Sequence, residues 1–335
     1  MTLAHILLVG SVQFASDILN KLKKRYSIDY FASKSRQEFI KDCADKYKDV
    51  SIIYHSPDAQ AVVGPFDAEL ISHLPPSLKY IVYLGAGYDS INVNACEQRN
   101  IYVSHTPMAV DDATADVAAI LILACCRNVI AASDNLRLGR FRNGLTMGTD
   151  PQGKVLGIVG AGGIGRTLAK RMSGFDLEKI QYYNRHRLST EVEEKYNMTY
   201  VDFETLLNTS DIISIHCPHT PQTTHLLDYK EFTMMKKGVI IVNTARGKII
   251  NEGALVKALE RGQVLAAGLD VFEQEPVVHP GLLSHPRCVL LPHIGTFTGE
   301  SQYKMEKLVL DNLEEAIERN SLLTPVPEHS KFFNK

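Results

Sequence analysis

The sequence predicts an α/β protein of two lobes, each a parallel sheet with crossover helices. Three observations carry that prediction. Short β-rich apolar runs alternate with amphipathic stretches, one such run opens directly into a glycine-rich turn and a helix, and the chain is longer than one core can fill. Single hydrophobic cores stop growing at roughly 250 residues, so 335 residues imply two lobes and a cleft for a ligand.

The strand runs fall at 6–9, 28–31, 51–54, 80–84, 155–159, 180–183, 212–215 and 239–242. Between them, 17–25, 92–99, 164–172 and 252–261 have the length and apolar spacing of crossover helices. No repeat of 20 to 50 residues appears. One segment breaks the half-buried pattern: 117–126 is apolar on every face and, with its flanks, predicts a single helix over 113–128. A helix apolar all round must be covered on all sides, within its own lobe or by a second subunit, and we expect a homodimer through it. It is too short to span a bilayer. Five glycine and proline positions from Gly139 to Gly153 mark a loop before the next βαβ unit. A last helix is expected over 299–319, with Thr298 as its N-cap.

Composition excludes several classes. Apolar residues at 45% against 22% charged describe a folded chain with no stretch polar enough to be disordered. A net charge of −2, with neither sign gathered into a block, leaves no footprint for nucleic acid or a membrane surface, so the expected partner is a small molecule. Six cysteines lack C-x-x-C spacing and lie among apolar neighbours, as reduced thiols do. The first apolar run has no basic region before it, and the chain ends without a peroxisomal tripeptide or prenylation cysteine, so the cytoplasm is expected. His55, His216, His219 and His225 lack metal-ligand spacing, and no metal is expected.

The run 155–159 feeds into Gly160-Ala161-Gly162-Gly163-Ile164-Gly165 and then an apolar helix, which is G-x-G-x-x-G in its required context. Gly160 makes the tight turn, Gly162 lets the backbone approach a pyrophosphate, and Gly165 allows close helix–strand packing. The helix N-terminus, with Gly163 and Ile164 in its first turn, then faces negative charge, so a dinucleotide is the expected cofactor. A ribose-gripping acid is usual at the end of the next strand. Here that end reads Tyr183-Asn184-Arg185-His186-Arg187. Asn184 does not repel a 2′-phosphate, and Arg185 and Arg187 offer the forks phosphate prefers, which favours NADPH over NADH while leaving NAD possible.

Further on, the 239–242 run ends in Asn243-Thr244-Ala245-Arg246-Gly247, the segment Gly268-Leu269-Asp270 leads to Glu275-Pro276, and Pro292-His293-Ile294-Gly295 closes another run. Carboxyl ends of parallel strands are where doubly wound folds bind ligands. Reduction of a carbonyl places charge on its oxygen, and an imidazolium at His293 can supply the proton. A carboxylate at Glu275 would favour the charged ring and orient it, while Arg246 would hold a carboxylate group and select 2-oxoacids.

Together the G-A-G-G-I-G, N-T-A-R-G, L-D-V-F-E-Q-E-P and P-H-I-G segments resemble the D-isomer-specific 2-hydroxyacid dehydrogenase family, most closely its glyoxylate/hydroxypyruvate reductase subgroup. Leu84-Gly85-Ala86-Gly87-Tyr88-Asp89 looks like the family's carboxylate-binding glycine loop, and His105-Thr106-Pro107 with Ala115-Asp116 like its first domain crossing. The resemblance implies a Rossmann domain, 105–296, inserted in a smaller flavodoxin-like substrate domain, 1–104 and 297–335. It implies Arg246, Glu275 and His293 as catalytic residues, with the amides around Ala86 and Gly87, together with Arg246 and His293, holding the substrate. The cofactor would be held by Gly160, Gly162, Gly163, Ile164, Gly165, Asn184, Arg185, Arg187, Thr244, Ala245, Arg246, Asp270, His293 and Gly295, with Asp270 at the nicotinamide end.

Asp116, His219 and Phe297 depart from the usual pattern without touching the triad, and Phe297 could narrow a pocket rim. Formate dehydrogenases share the fold but pair their histidine with glutamine, which Glu275 argues against. The expected activity is reduction of a small 2-oxoacid such as glyoxylate or hydroxypyruvate. The alternative from another class is a nucleotide-sensing binding protein resembling the family's corepressors, which simple turnover would exclude. The far end of the substrate pocket carries no motif, and Tyr54, His55 and Met108 are its candidates.

Overall fold

The computed structural model describes residues 4–333. By contacts the chain divides into two compact units: the residues up to Val110 together with those from Thr298 on, and Asp111–Phe297. The sequence reading puts these boundaries at 104/105 and 296/297.

The first unit holds β1 (His5–Val9), β2 (Ser27–Tyr30), β3 (Ile52–His55), β4 (Tyr80–Tyr83) and β5 (Tyr102–Ser104). They form one parallel sheet in the order β2-β1-β3-β4-β5, the doubly wound order of flavodoxin-like proteins. Leu7, Val9, Ile53, Ile81 and Val103 point from alternate strand positions into a core completed by Phe39, Phe66 and Leu70. The helix Gly299–Arg319 belongs to this unit and starts where expected, with Thr298 Oγ1 accepting from the Ser301 amide at 3.2 Å. Its Glu306 is buried, and the carboxylate accepts three consecutive amides, Gln13, Phe14 and Ala15, at 2.7–2.8 Å. The turn after β1 is thereby tied to a helix nearly three hundred residues away in sequence.

The second unit holds β6 (Val155–Val159), β7 (Lys179–Tyr183), β8 (Met198–Tyr200), β9 (Ile212–Ile215), β10 (Val239–Asn243), β11 (Val264–Leu269) and β12 (Cys288–Leu290). All neighbours are parallel, in the order β8-β7-β6-β9-β10-β11-β12. Counted from β6, this is the dinucleotide-binding order with a strand added at one edge, and the order reverses between β6 and β9. Residues alternate across the sheet. Ile213 and Ile241 pack with Leu255, Leu259 and Leu282 on one face, whereas Ile212, Ile240 and Leu156 pack with Leu121, Ile122 and Leu168 on the other. Strands buried on both faces read as unbroken apolar runs, which is why most were legible.

Two details differ from the sequence reading or were missing from it. The helix expected over 113–128 spans Asp111–Arg127, and of the two ways of covering it, its own unit leaves Ile120 58% exposed. Its inner face packs so tightly on β11 that a Cβ at Gly268 would lie 2.9 Å from Leu121. The chain then turns through Asn128, left-handed at φ 51°, into a helix the sequence reading missed, Val129–Arg137. That helix buries no residue within the unit, and its apolar positions, Val129, Ile130 and Leu136, are left exposed. No single helix among the described residues is long and apolar enough to cross a membrane.

Candidate active site

At the end of β6 the glycines divide the labour. Gly160 has φ 97°, and a Cβ there would lie 2.4 Å from the Cys217 amide nitrogen, so the turn is pressed against the chain leaving β9. A Cβ at Gly165 would lie 2.4 Å from the Gly160 carbonyl oxygen, so the helix Gly163–Met172 approaches its own strand closely. One at Gly163 would strike the Asp111 carboxylate. One at Gly162 meets nothing within 4 Å. Gly162 N-caps the helix without a side-chain oxygen, so the first-turn N–H groups, Ile164 among them, have no side-chain cap. A pyrophosphate fits that cradle of amides and missing Cβ atoms.

The end of β7 is organised differently from the expectation. Asn184 Oδ1 accepts the Ala161 amide at 2.7 Å, which braces the glycine turn. Arg187 is committed to Glu193 by two hydrogen bonds at 2.9 and 2.8 Å. The Arg187 and Tyr182 hydrogen bonds hold the Glu193 carboxyl down to about 2. Arg185 is exposed, with no acceptor among the described residues, so one arginine stands ready for a phosphate where the sequence offered two. The acid that ties Arg187 lies on the following helix, where no strand-end motif would reveal it.

Three strand ends bring the catalytic candidates to one edge of this unit's sheet. After β10, Asn243 Nδ2 donates to the Arg246 carbonyl at 2.9 Å and Asn243 Oδ1 accepts the Ala245 amide at 3.0 Å, which fixes the Thr244–Ala245–Arg246 turn. Arg246 Nη1 donates to the Ala245 carbonyl at 2.7 Å. A Cβ at Gly247 would lie 1.8 Å from the Phe272 carbonyl carbon, so only glycine lets this turn meet the loop after β11.

That loop carries Glu275, whose Oε1 accepts the Phe272 amide at 2.9 Å and whose Oε2 meets His293 Nδ1 at 2.8 Å. Burial pushes the Glu275 carboxyl up, but the His293 hydrogen bond, the Phe272 amide and the charges of His293 and Arg246 together hold it below its ordinary value. Glu275 is therefore an acceptor at neutral pH. The ring donates from Nδ1, which leaves Nε2 as the nitrogen available to a ligand. His293 has φ 56° and a side chain half exposed. His216, at the end of β9, lies between Ser214 and Thr244, and burial pushes it down to about 3. His216 is neutral and cannot compete as an acid.

Asp270 is buried, and its two oxygens accept the Ile294 and Gly295 amides at 2.8 Å each. Burial raises its carboxyl, against the pull of those amides. Both oxygens are thus occupied in bracing the residues after His293, a strut that motif reading cannot distinguish from a ligand contact. A second brace was also missed. Glu273 Oε1 meets His225 Nε2 at 2.6 Å, and the Glu273 amide donates to Glu252 at 2.9 Å.

In the first unit, the Ala86 carbonyl accepts from His105 and the Gly85 carbonyl from the Thr106 amide. The amides of Ala86 and Gly87 have no acceptor among the described residues. Tyr54 and His55 do not line a pocket: β3 is a central strand covered on both faces, and both residues are fully buried. Met108 and Phe297 are exposed. Among the described residues no group of three histidine, cysteine or acidic side chains could hold a metal ion.

Residues 119–295 match the family model described as the D-isomer specific 2-hydroxyacid dehydrogenase NAD binding domain. The chain belongs to the D-isomer-specific 2-hydroxyacid dehydrogenase family. It is 48% identical over 328 residues to 4-methyl-2-oxopentanoate reductase A of Aspergillus oryzae, covering 98% of this chain and 99% of that one. A glyoxylate reductase from Paecilomyes thermophila superposes with a TM-score of 0.95 at 46% identity, covering 98% of this chain and all of that one. An NADPH-dependent glyoxylate/hydroxypyruvate reductase from Sinorhizobium meliloti, solved with NADP and malonate, superposes at 0.84 with 29% identity, over 98% of each chain. The protein is thus an NAD(P)-dependent 2-hydroxyacid dehydrogenase that reduces 2-oxoacids, and the nucleotide-sensing alternative is not favoured.

Proposed function

We propose that this dehydrogenase reduces small 2-oxoacids, glyoxylate or hydroxypyruvate, with NADPH, using His293 as the proton donor. The observation that carries the reading is the 2.8 Å bond from His293 Nδ1 to Glu275, which fixes the tautomer and turns Nε2 outward. The nicotinamide supplies the hydride, held by a lobe of residues 105–296. His293 protonates the oxygen on which charge develops, and Glu275 orients its ring for that transfer. Arg246 pairs with the substrate, and the Ala86 and Gly87 amides of the substrate lobe, 1–104 with 297–335, take its carboxylate. NADPH is favoured because Arg185 offers a fork for a 2′-phosphate and Asn184 brings no repelling charge. Thr244, Ala245 and Gly295 complete the nicotinamide side of this reading. Six free cysteines are consistent with a reducing, cytosol-like compartment.

A second substrate reading has one observation behind it: the 48% identical relative is named for a branched, longer acid. Oxidation of NADPH and NADH by the purified protein should be compared with glyoxylate, hydroxypyruvate, pyruvate and 4-methyl-2-oxopentanoate. A kcat/KM highest for the two small acids with NADPH supports the first reading. A preference of tenfold or more for the branched acid replaces it.

A further inference from the structure

His105 follows β5, and its Nδ1 lies 2.8 Å from the carbonyl oxygen of Ala86. A carbonyl oxygen only accepts, so Nδ1 carries the proton and the tautomer is fixed. Burial keeps the imidazole below its ordinary range, against the pull of the Ala86 carbonyl and Glu328, so the ring is neutral at pH 7. The ring is also held in place. Tyr88 meets it edge-on with centroids 5.3 Å apart, and the Tyr88 hydroxyl donates to Glu328 at 2.9 Å. The His105 backbone is clamped by Thr324, whose carbonyl accepts its amide at 3.1 Å and whose hydroxyl donates to its carbonyl at 2.6 Å.

The C=O and N–H of a trans peptide point in opposite directions. With the Ala86 carbonyl anchored on His105, the N–H of Gly87 is aimed away from the imidazole, toward the side where no acceptor stands among the described residues. The Thr106 amide fixes the preceding carbonyl, Gly85, at 2.9 Å, so two successive peptide planes are set from one short segment. A Cβ at Gly85 would come within 2.6 Å of the Tyr83 ring, which shows how closely the loop is pressed to the end of β4.

We propose that His105 is a positioning residue for the substrate carboxylate: by holding the Ala86 carbonyl it presents the Gly87 N–H as a donor. The inference rests on the reading of the 84–88 loop as the carboxylate site. Without the imidazole the 86–87 peptide can flip and the carboxylate loses a charge-assisted hydrogen bond, a loss of about tenfold or more in affinity.

The test compares glyoxylate with glyoxal, an uncharged carbonyl of the same size, in wild type, His105→Leu and His105→Asn. His105→Leu should raise the KM for glyoxylate about tenfold while leaving the KM for NADPH and the kcat/KM for glyoxal within about twofold. His105→Asn, whose Nδ2 can stand where Nδ1 stood, should return glyoxylate KM to within about threefold of wild type. An unchanged glyoxylate KM in His105→Leu overturns the proposal, as does an equal loss for glyoxylate, glyoxal and NADPH. Should His105→Leu fail to fold, His105→Asn decides alone, because a tenfold rise in its glyoxylate KM overturns the role. A wild type that does not prefer glyoxylate to glyoxal removes the loop's carboxylate role itself, an outcome separate from failure of the His105 variants.

Discussion

His293 occupies a left-handed backbone conformation that costs a side-chain-bearing residue about 1–2 kcal/mol. Glu275 holds its ring, and Asp270 holds the two amides that follow it, so the conformation is imposed by two carboxylates of the one loop after β11. His293→Ala should leave the Kd for NADPH near wild type and lower kcat by about 100-fold or more. Near-normal turnover would remove the proton-donor role. Glu275 has a carboxyl held below its ordinary value, so the stability it contributes is present above the unfolded value and is lost as pH falls through the folded one. The gap in Tm between wild type and Glu275→Gln should therefore be widest above about pH 5 and shrink toward pH 3. A gap independent of pH would show that the carboxylate charge contributes nothing.

At the scale of elements, the strand ends do the positioning, and each glycine that allows two loops to touch is a point of failure. Gly247→Ala would drive a methyl group into the Phe272–Glu273 backbone, displacing the turn of Arg246 from the loop of Glu275. We expect kcat/KM to fall about 100-fold with a lowered Tm, and wild-type kinetics would mean that the two loops separate without consequence. At the end of β7, Arg185→Ala should raise the KM for NADPH about tenfold and leave that for NADH unchanged. Arg187→Ala should instead lower Tm through Glu193, and equal effects of the two arginines on NADPH would refute that division. Asn184→Asp keeps the acceptor for Ala161 and adds a charge, so the kcat/KM ratio should move toward NADH.

The same elements show what the sequence could and could not reveal. Buried parallel strands announced themselves because both faces are apolar, whereas β5 and β8, three residues each, are too short to show a period. The placing of Arg246, Glu275 and His293 after strands was legible because each has a neighbouring glycine or proline that marks a strand end. The engagement of Arg187 by Glu193, of Asp270 by two amides and of Ala86 by His105 was not legible. Each partner comes from a different element, and pairings across elements leave no local pattern.

For the whole molecule, apolar side chains left uncovered gather along one stretch: Ile120, Val129, Ile130, Leu136, Leu138 and Phe141. We propose that these are the side chains a homodimer through the 113–128 segment would cover. Ile120→Lys should shift sedimentation from dimer toward monomer at micromolar concentration, and a wild type already monomeric there would refute the assembly.

The three amides that Glu306 gathers lie near the beginning of the chain, and the carboxylate comes near its end. Synthesis on a ribosome is directional, so the unit spanning Asp111–Phe297 is complete and free to fold while the earlier-made sheet still lacks its covering helix. A nascent chain therefore carries the earlier-made sheet unfinished while the later unit folds, with β3 and β4 uncovered until Gly299–Arg319 emerges.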